Sequence, residues 1–361
     1  MALTLLKEEI MLKRKIGMLF KTKNFTLIVL FIVLYAVFAV LTEGANLSPI
    51  NIRNMLNSIV IMGMLAVGQS FLLIAGYLDL AAGAIGTTSA VLLGYMLVGA
   101  GAPWFLCLLV ALVFGIICGI ASATLVNRFN FQPFIATLAV SYVVQGIGYI
   151  VCFNQTGLAS IPISHPVFNF IGTERIINGI VPVTLIIIIL FLIVYGIILK
   201  KTSIGRMVYL VGGNKAAAHL VGINPKKVSY MCFINGGILF SLAGCLAAFR
   251  AKAATVTGIT NMAFTGITAA VLGGISFGGG SGGMFGCFLG LLVLNCFNTG
   301  MDILRFNTFW QVTFSGILLL IALTFDAITS KRYVAQLYRE TKEAEAAAES
   351  NNKPENMQSA R

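Results

Sequence analysis

Residues 202–223 read TSIGRMVYLVGGNKAAAHLVGI, a long polar, basic and glycine-containing segment inside a chain that is otherwise strongly apolar. Apolar runs of roughly 17–25 residues lie on both sides of it, which is the length that a membrane-spanning helix needs. A polar segment of this length between two spans predicts a surface that binds another molecule. We call residues 202–223 the docking loop.

The composition of the whole chain indicates an all-α integral membrane protein. Of its 361 residues, 58% are hydrophobic and 10% are charged, whereas soluble domains carry about 25% charged residues. The net charge of +12 comes from lysines and arginines that flank apolar runs. This arrangement is typical of cytoplasmic loops facing anionic lipid and does not indicate nucleic-acid binding.

The apolar runs predict about ten transmembrane helices. Prolines at or just before the starts of five runs support the boundaries, because the first turn of a helix tolerates proline; they are Pro49, Pro103, Pro133, Pro182 and Pro225. The expected spans are 25–42, 54–75, 80–99, 103–126, 134–152, 179–199, 228–249, 262–276, 284–300 and 308–329.

The distribution of basic residues predicts the orientation of these spans. With the N-terminus in the cytoplasm and ten crossings, 19 of the 24 lysines and arginines face the cytoplasm, as the positive-inside rule requires. Both termini and the docking loop are then cytoplasmic. The expected organisation is a basic N-terminal segment over 1–24, a transmembrane domain over 25–330 with a cytoplasmic loop at 200–227, and a polar, partly disordered tail over 331–361.

Two glycine-rich stretches interrupt the apolar runs. The first glycine break is GYLDLAAGAIG at residues 76–86, and the second glycine break is LGGISFGGGSGGMFG at residues 272–286. Irregular backbone persists in a membrane only where protein or a water-filled cavity covers it. The two breaks therefore predict either a transport path or close packing of helices through small residues, and both alternatives stay open.

Polar residues inside the membrane region are candidates for lining such a path. Asp79, in the first glycine break, either caps the next helix or faces the path. Amides and aromatic rings would suit a neutral hydroxylated solute, although each amide could instead form an interhelical hydrogen bond. The candidates for the substrate path are Gln69, Phe71, Asp79, Gln145, Asn235, Asn295, Asn298 and Trp310.

The docking loop itself predicts two short surface helices, one from Arg206 and one over residues 215–220. Gly212, Gly213 and Asn214 are expected to form a turn between them with positive φ, and Gly222 is expected to end the second helix. The chain has no GxxxxGK[ST] sequence, so a phosphate-binding loop and its energy source are expected on another protein. No catalytic or metal-binding pattern is present.

The docking loop resembles the coupling loop of ribose-type permeases of ABC importers, in the branched-chain amino acid/ribose superfamily. That family's pattern is roughly G-R-x-x-Y-x-x-G-G-N-x-x-A-A-x-x-x-G-I. The matching positions here are Gly205, Arg206, Tyr209, Gly212, Gly213, Asn214, Ala217, Ala218, Gly222 and Ile223. GYLDLAAGAI and AAVLGGISFGGGSGG are similar to two further signatures of the family. GYLDL has one residue more than the usual G-x-D-L, and Ala81 stands where serine is common.

The resemblance implies a non-catalytic permease subunit in a bacterial cytoplasmic membrane. It implies a second permease copy, an extracytoplasmic solute-binding protein and a cytoplasmic ATP-binding subunit that holds ATP and Mg²⁺, with no cofactor or metal on this chain. The ATPase-docking residues would be Gly205, Arg206, Tyr209, Gly212, Gly213, Asn214, Lys215, Ala217, Ala218, Leu220 and Gly222. The expected cargo is a monosaccharide, and the alternative cargoes are a nucleoside, a signalling furanose or a branched-chain amino acid. The alternative class of protein is an ion-coupled secondary carrier.

Overall fold

The computed structural model describes residues 23–176, 179–307, 309–324 and 326–328. The expected cytoplasmic N-terminal segment, apart from its last two residues, and the expected polar tail lie outside the described residues. The description therefore concerns the membrane domain and its connecting loops.

The described part of the chain is almost entirely helical. The helices are α1 Lys23–Leu41, α2 Pro49–Ile74, α3 Ala82–Gly94, α4 Trp104–Asn127, α5 Pro133–Thr156, α6 Pro166–Thr173, α7 Val183–Lys201, α8 Ser203–Gly213, α9 Lys215–Leu220, α10 Pro225–Ala251, α11 Ala263–Leu272, α12 Met284–Ile303 and α13 Phe309–Ile328. A π-helical turn, Tyr95–Gly99, extends α3, and 3₁₀ turns lie at Ala45–Leu47 and Thr260–Met262. The strands are β1 Ser160–Pro162, β2 Arg175–Ile176, β3 Val181–Pro182 and β4 Ala253–Thr255.

The prolines start the helices as expected. Pro49, Pro133 and Pro225 are the first residues of α2, α5 and α10, and the other two immediately precede α4 and α7. At two of these starts a side chain completes the cap, because Ser48 accepts the N–H of Asn51 and Asn224 accepts the N–H groups of Lys226 and Lys227. Capped starts of this kind fix where each span begins.

Within the described residues, nine helices are long and apolar enough to cross a membrane. The eighth expected span, 262–276, differs from expectation. Its helix, α11, covers only ten residues, which is about 15 Å or half of a bilayer core. Glycines at positive φ follow it, including Gly274 at φ 84° and Gly280 at φ 73°, so this crossing consists of a half-length helix and the second glycine break.

Helices α2 and α10 are among the most buried spans of the bundle. Backbone meets backbone there, because a Cβ on Gly237 of α10 would lie 2.0 Å from the carbonyl oxygen of Gly115 on α4. A Cβ on Gly244 of α10 would likewise lie 1.8 Å from the carbonyl oxygen of Gly86 on α3. Small residues at such crossings let spans approach closely where lipid provides no hydrophobic drive for association.

The outer helices present apolar surface. Only 11%, 17% and 6% of the apolar stretches of α1, α7 and α13 are buried. Their outward side chains include Leu190 and Ile193, each more than half exposed. In water such a surface would cause aggregation, whereas in a bilayer it contacts lipid. All seven cysteines are free and buried, as expected for small hydrophobic residues.

The end of the bundle opposite the docking loop is closed by short strands. Strand β1, after α5, pairs antiparallel with β4, after α10, with Ile161 opposite Ala254. Strands β2 and β3 form a second antiparallel pair before α7. These pairs tie together the loops on the side expected to face outward.

Candidate functional site

The docking loop folds into the two short helices that its sequence predicts. Helix α8 is capped by Thr202, whose Oγ1 accepts the N–H of Gly205 at 3.3 Å. Helix α9 is capped by Asn214, whose Oδ1 accepts the N–H of Ala217 at 3.0 Å. Each cap satisfies an N–H group that has no partner within its own helix.

The turn expected at Gly212, Gly213 and Asn214 is a wrong prediction. Gly212 and Gly213 are the last residues of α8, and neither has positive φ. Asn214 alone joins α8 to α9, in an extended conformation with φ −158° and ψ 108°. Because this asparagine ends one helix and caps the next, no left-handed residue is needed. Gly222, at φ 83°, does form the expected turn after α9.

Gly212 is instead required for close contact with the membrane domain. A Cβ at this position would lie 1.8 Å from the carbonyl oxygen of Ile74, at the end of α2. The same carbonyl accepts the N–H of Gly280 at 2.8 Å, and a Cβ on Gly279 would lie 2.7 Å from the carbonyl oxygen of Gly212. The docking loop, the end of α2 beside the first glycine break, and the second glycine break therefore meet at one point.

We call this meeting point of the docking loop, the end of α2 and the second glycine break the junction. Two side chains of the docking loop reinforce it. The Tyr209 hydroxyl donates to the carbonyl of Gly282 in the second glycine break at 2.7 Å. The Lys215 Nζ lies 4.4 Å from the centre of the Tyr77 ring in the first glycine break, a cation–π distance. Burial lowers the pKa of Lys215 and raises the pKa of Tyr209. The docking loop thus holds both glycine breaks.

The predicted docking residues divide between two faces. Facing the bundle are Gly205, Tyr209, Gly212, Lys215 and Ala218. Exposed on the other face are Arg206, Gly213, Asn214, Ala217, Leu220 and Gly222.

Sequence reasoning missed two apolar members of the outward face. Val221 is 68% exposed beside Leu220, which is 88% exposed, and Leu210 on α8 is 49% exposed. These residues could have been identified from the sequence, since large apolar residues in a loop outside the spans have no lipid to contact. An apolar patch with Arg206 nearby on the same loop is suited to binding another protein.

Asp79 lies fully buried beside α3. Its Oδ1 accepts the N–H of Ala81 at 2.8 Å, and Ala81 itself occupies the N-cap position of α3. The carboxyl therefore bonds to the turn that leads into the helix and is not the N-cap that the sequence predicted. Gln69 donates from Nε2 to the Asp79 carbonyl at 2.5 Å, and Leu80 donates its N–H to Thr137 at 3.0 Å. Asp79 Oδ2 and Gln69 Oε1 have no hydrogen-bond partner among the described residues. The structure thus joins two of the predicted path residues directly.

Phe71 and Asn235 are joined through a residue that the sequence did not single out. The ring of Tyr195 on α7 lies 5.7 Å from that of Phe71, and its hydroxyl donates to Asn235 Oδ1. Phe71 lies two residues after Gln69 on α2. Four of the eight predicted path residues therefore lie in the half of the bundle next to the docking loop.

The other four path candidates are not brought together with this group. Asn295 is fully buried and donates to the Met55 carbonyl at 2.8 Å, an interhelical bond. Asn298 accepts from Ser315 at 3.4 Å. Gln145 is half-buried on α5, and Trp310 is 54% exposed on α13.

Asp326 has a contact that the sequence reading did not foresee. Its Oδ2 accepts the N–H of Phe277 at 3.0 Å and the hydroxyl of Ser276 at 3.2 Å. The last helix, α13, therefore also holds the second glycine break, at residues different from those that contact the docking loop. Near the end of a span, a carboxylate alone predicts only an interfacial position, so the contact partner could not be inferred.

Comparisons with known proteins identify several sequence relatives of this chain. A family described as "Branched-chain amino acid transport system / permease component" matches residues 51–323. The chain is similar to the ribose import permease protein of Bacillus subtilis, with 32% identity over 78% of this chain and 85% of the relative. It is also similar to the fructose import permease protein of Rhizobium meliloti, with 30% identity over 83% and 84%. The xylose transport system permease protein of Haemophilus influenzae is 27% identical over 87% and 100%. No solved structure matches.

Proposed function

Because this chain belongs to the family of branched-chain amino acid transport system permease components, we propose that it forms the transmembrane path of an ATP-driven monosaccharide importer. The chain is a transport subunit of a bacterial cytoplasmic membrane, and it is not itself an enzyme. The proposed step is movement of the sugar by alternating access, with the energy supplied by ATP on another subunit.

The junction at Gly212 is the observation that carries this proposal. A displacement of the docking loop cannot leave the glycine breaks unmoved, because Gly212 has no clearance against Ile74 and Tyr209 is hydrogen-bonded to Gly282. The breaks are irregular backbone within the membrane domain, where a path can open and close without unwinding a helix. A push on the exposed face of the docking loop would therefore reach the path directly.

Membership in this family implies partners for both faces of the membrane. A cytoplasmic ATP-binding subunit would contact the outward face of the docking loop, and a solute-binding protein would deliver the cargo from outside. ATP and Mg²⁺ would be held by the ATP-binding subunit. A second permease copy would complete the path.

A monosaccharide is favoured as cargo by two observations. Relatives of similar length are named for ribose, fructose and xylose. The buried polar residues near the junction include Gln69, Asn235 and the hydroxyl of Tyr195, which can hydrogen-bond to hydroxyl groups. The family description names amino acids, but a zwitterion would need charged partners in the spans, and Asp79 is the one fully buried ionisable carboxyl among the described residues.

Reconstitution tests this proposal. The full chain would be placed in proteoliposomes with its ATP-binding subunit and solute-binding protein, and uptake of a labelled sugar panel would be measured. We expect uptake that requires ATP, and loss of sugar-stimulated ATP hydrolysis when Arg206→Glu and Gly213→Trp are combined. Uptake driven by an ion gradient without the ATP-binding subunit would contradict the proposal.

A further inference from the structure

A groove of about 470 Å³ runs along the outer surface of the bundle between α7 and α12. It lies on the side of the molecule that carries the docking loop, since its open end is formed by the last two residues of α7. The lining residues are Ile189, Leu192, Ile193, Gly196, Ile197, Lys200, Lys201, Met284, Phe285 and Phe288.

The groove is lined mainly by apolar side chains, and Gly196 contributes no side chain to it. Ile189, Ile193 and Ile197 recur every fourth residue on one face of α7 and are 43%, 55% and 53% exposed. A Cβ on Gly196 would lie 3.7 Å from the Cβ of Met284, so a larger side chain here would enter the groove. The absence of a side chain at this position leaves space for a chain-like apolar ligand.

The end of the groove carries two positive charges. Lys200 and Lys201 are exposed and close the helix, and the lining contains no acidic residue. From Ile189 to Lys200 the helix rises roughly 16 Å, close to the ~15 Å depth of one leaflet's hydrocarbon. Since the positive-inside rule places this end in the cytoplasm, the lysines lie at the depth of the inner-leaflet headgroups.

We propose that this groove is a binding site for an anionic phospholipid of the inner leaflet. The acyl chain lies against Ile193, Ile197 and Phe285, and the headgroup phosphate lies between Lys200 and Lys201. Lipid tails are as apolar as the groove, so apolar contact alone gives no selectivity. The paired lysines supply it by attracting headgroups with net negative charge.

A lipid explains this surface better than a second copy of the chain. Two copies that met here across a two-fold axis would present the same patch to each other, which would bring four lysines together. A bound lipid would also lie beside both the docking loop and the second glycine break. Lys201 directly precedes the docking loop, and Met284 lies in the second glycine break, at the start of α12.

Native mass spectrometry of the full-length protein in detergent tests this site without any transport assay. Phosphatidylglycerol and phosphatidylcholine of identical acyl chains would compete at equal concentration. We expect retention of phosphatidylglycerol to exceed that of phosphatidylcholine, and the preference to fall about fivefold for each lysine removed in Lys200→Gln and Lys201→Gln. The matched control is the double variant Lys226→Gln/Lys227→Gln, a second exposed cytoplasmic lysine pair that does not line the groove.

The Gly196→Phe variant measures the contribution of the apolar groove to lipid binding separately from that of the lysine charges. It fills the space and keeps both lysines, so we expect it to reduce retention of both lipids while circular dichroism and the elution volume remain those of the wild type. A photoactivatable anionic lipid should label residues 284–288 or 189–201. Equal retention of both lipids by the wild type, or full preference in the Lys200→Gln/Lys201→Gln variant, would overturn the proposal. Displacement of phosphatidylglycerol by equimolar inorganic phosphate would also overturn it. The same holds for a dimer that is detected for the wild type and lost only in the groove variants.

Discussion

The Cα of Gly212 lies against the carbonyl oxygen of Ile74 so closely that a methyl group on Gly212 would sit 1.8 Å from that oxygen. Both atoms belong to backbone, so neither can rotate away as a side chain would. This contact joins a helix outside the membrane to the end of the most buried span.

Gly212→Ala should therefore disturb both stability and coupling. Overpacking typically costs about 1–3 kcal/mol, and we expect the upper part of this range or more because backbone must shift. Thermal unfolding of the purified protein and sugar-stimulated ATP hydrolysis by the assembled importer would measure the two effects. Gly213→Ala is the matched stability control, since its Cβ would have no atom within 4 Å. Equal melting temperatures for the two variants would mean that the contact is not tight.

Tyr209→Phe should weaken the link to the second glycine break while keeping the ring. It removes the hydrogen bond to the Gly282 carbonyl, a loss of about 0.5–1.5 kcal/mol. We expect fewer sugar molecules transported per ATP hydrolysed. Tyr142→Phe, at a 69% exposed position on α5, provides the control. An unchanged ratio in the Tyr209 variant would exclude this bond from coupling.

Substitutions of Asp79 distinguish a structural hydrogen-bond acceptor from a path residue. If the carboxyl serves only to accept the Ala81 N–H, Asp79→Asn keeps an oxygen for this bond, whereas Asp79→Ala loses about 1 kcal/mol of stability. We expect the asparagine variant to transport at near the wild-type rate, as judged by uptake in proteoliposomes. Loss of uptake in a normally stable Asp79→Asn protein would instead assign the charge to the path.

Asp326→Ala should free the backbone of the second glycine break. Hydrogen bonds to charged groups contribute about 1.5–3 kcal/mol, and this change removes two of them. Hydrogen–deuterium exchange should become faster over residues 275–280. Asp302→Ala is the comparison, because its carboxylate accepts from Gln311 at the opposite end of the bundle. Exchange that rises equally in both variants would indicate general destabilisation.

The features that the sequence predicted well depend on local patterns. Span lengths, the five prolines and the two docking helices follow from runs of neighbouring residues, since apolar length and caps act within one helix. A hydrogen bond from Asp79 to the start of α3 could be anticipated for the same reason, because its partner Ala81 is only two residues away.

The features that it missed depend on contacts between distant segments. Nothing near Gly212 in the sequence indicates that Ile74 and Gly280 approach it, so a helix C-terminus was interpreted as a turn. The eighth span reads as continuous apolar sequence, yet its helix stops at Leu272 because the glycines that follow turn the backbone toward the docking loop. Tyr195 and Asp326 gained their roles from partners at least forty residues away.

The backbone contacts along α10 also govern which substitutions the membrane domain can accept. Gly115, Gly237, Gly86 and Gly244 leave no room for a single methyl group on either side of their crossings. In a saturation mutagenesis library, alanine at these positions should be depleted as strongly as a charged residue, although alanine is the more membrane-compatible choice. Tolerance at these crossings would then follow interatomic clearance and not hydropathy, so a hydrophobicity scale would rank the variants in the wrong order.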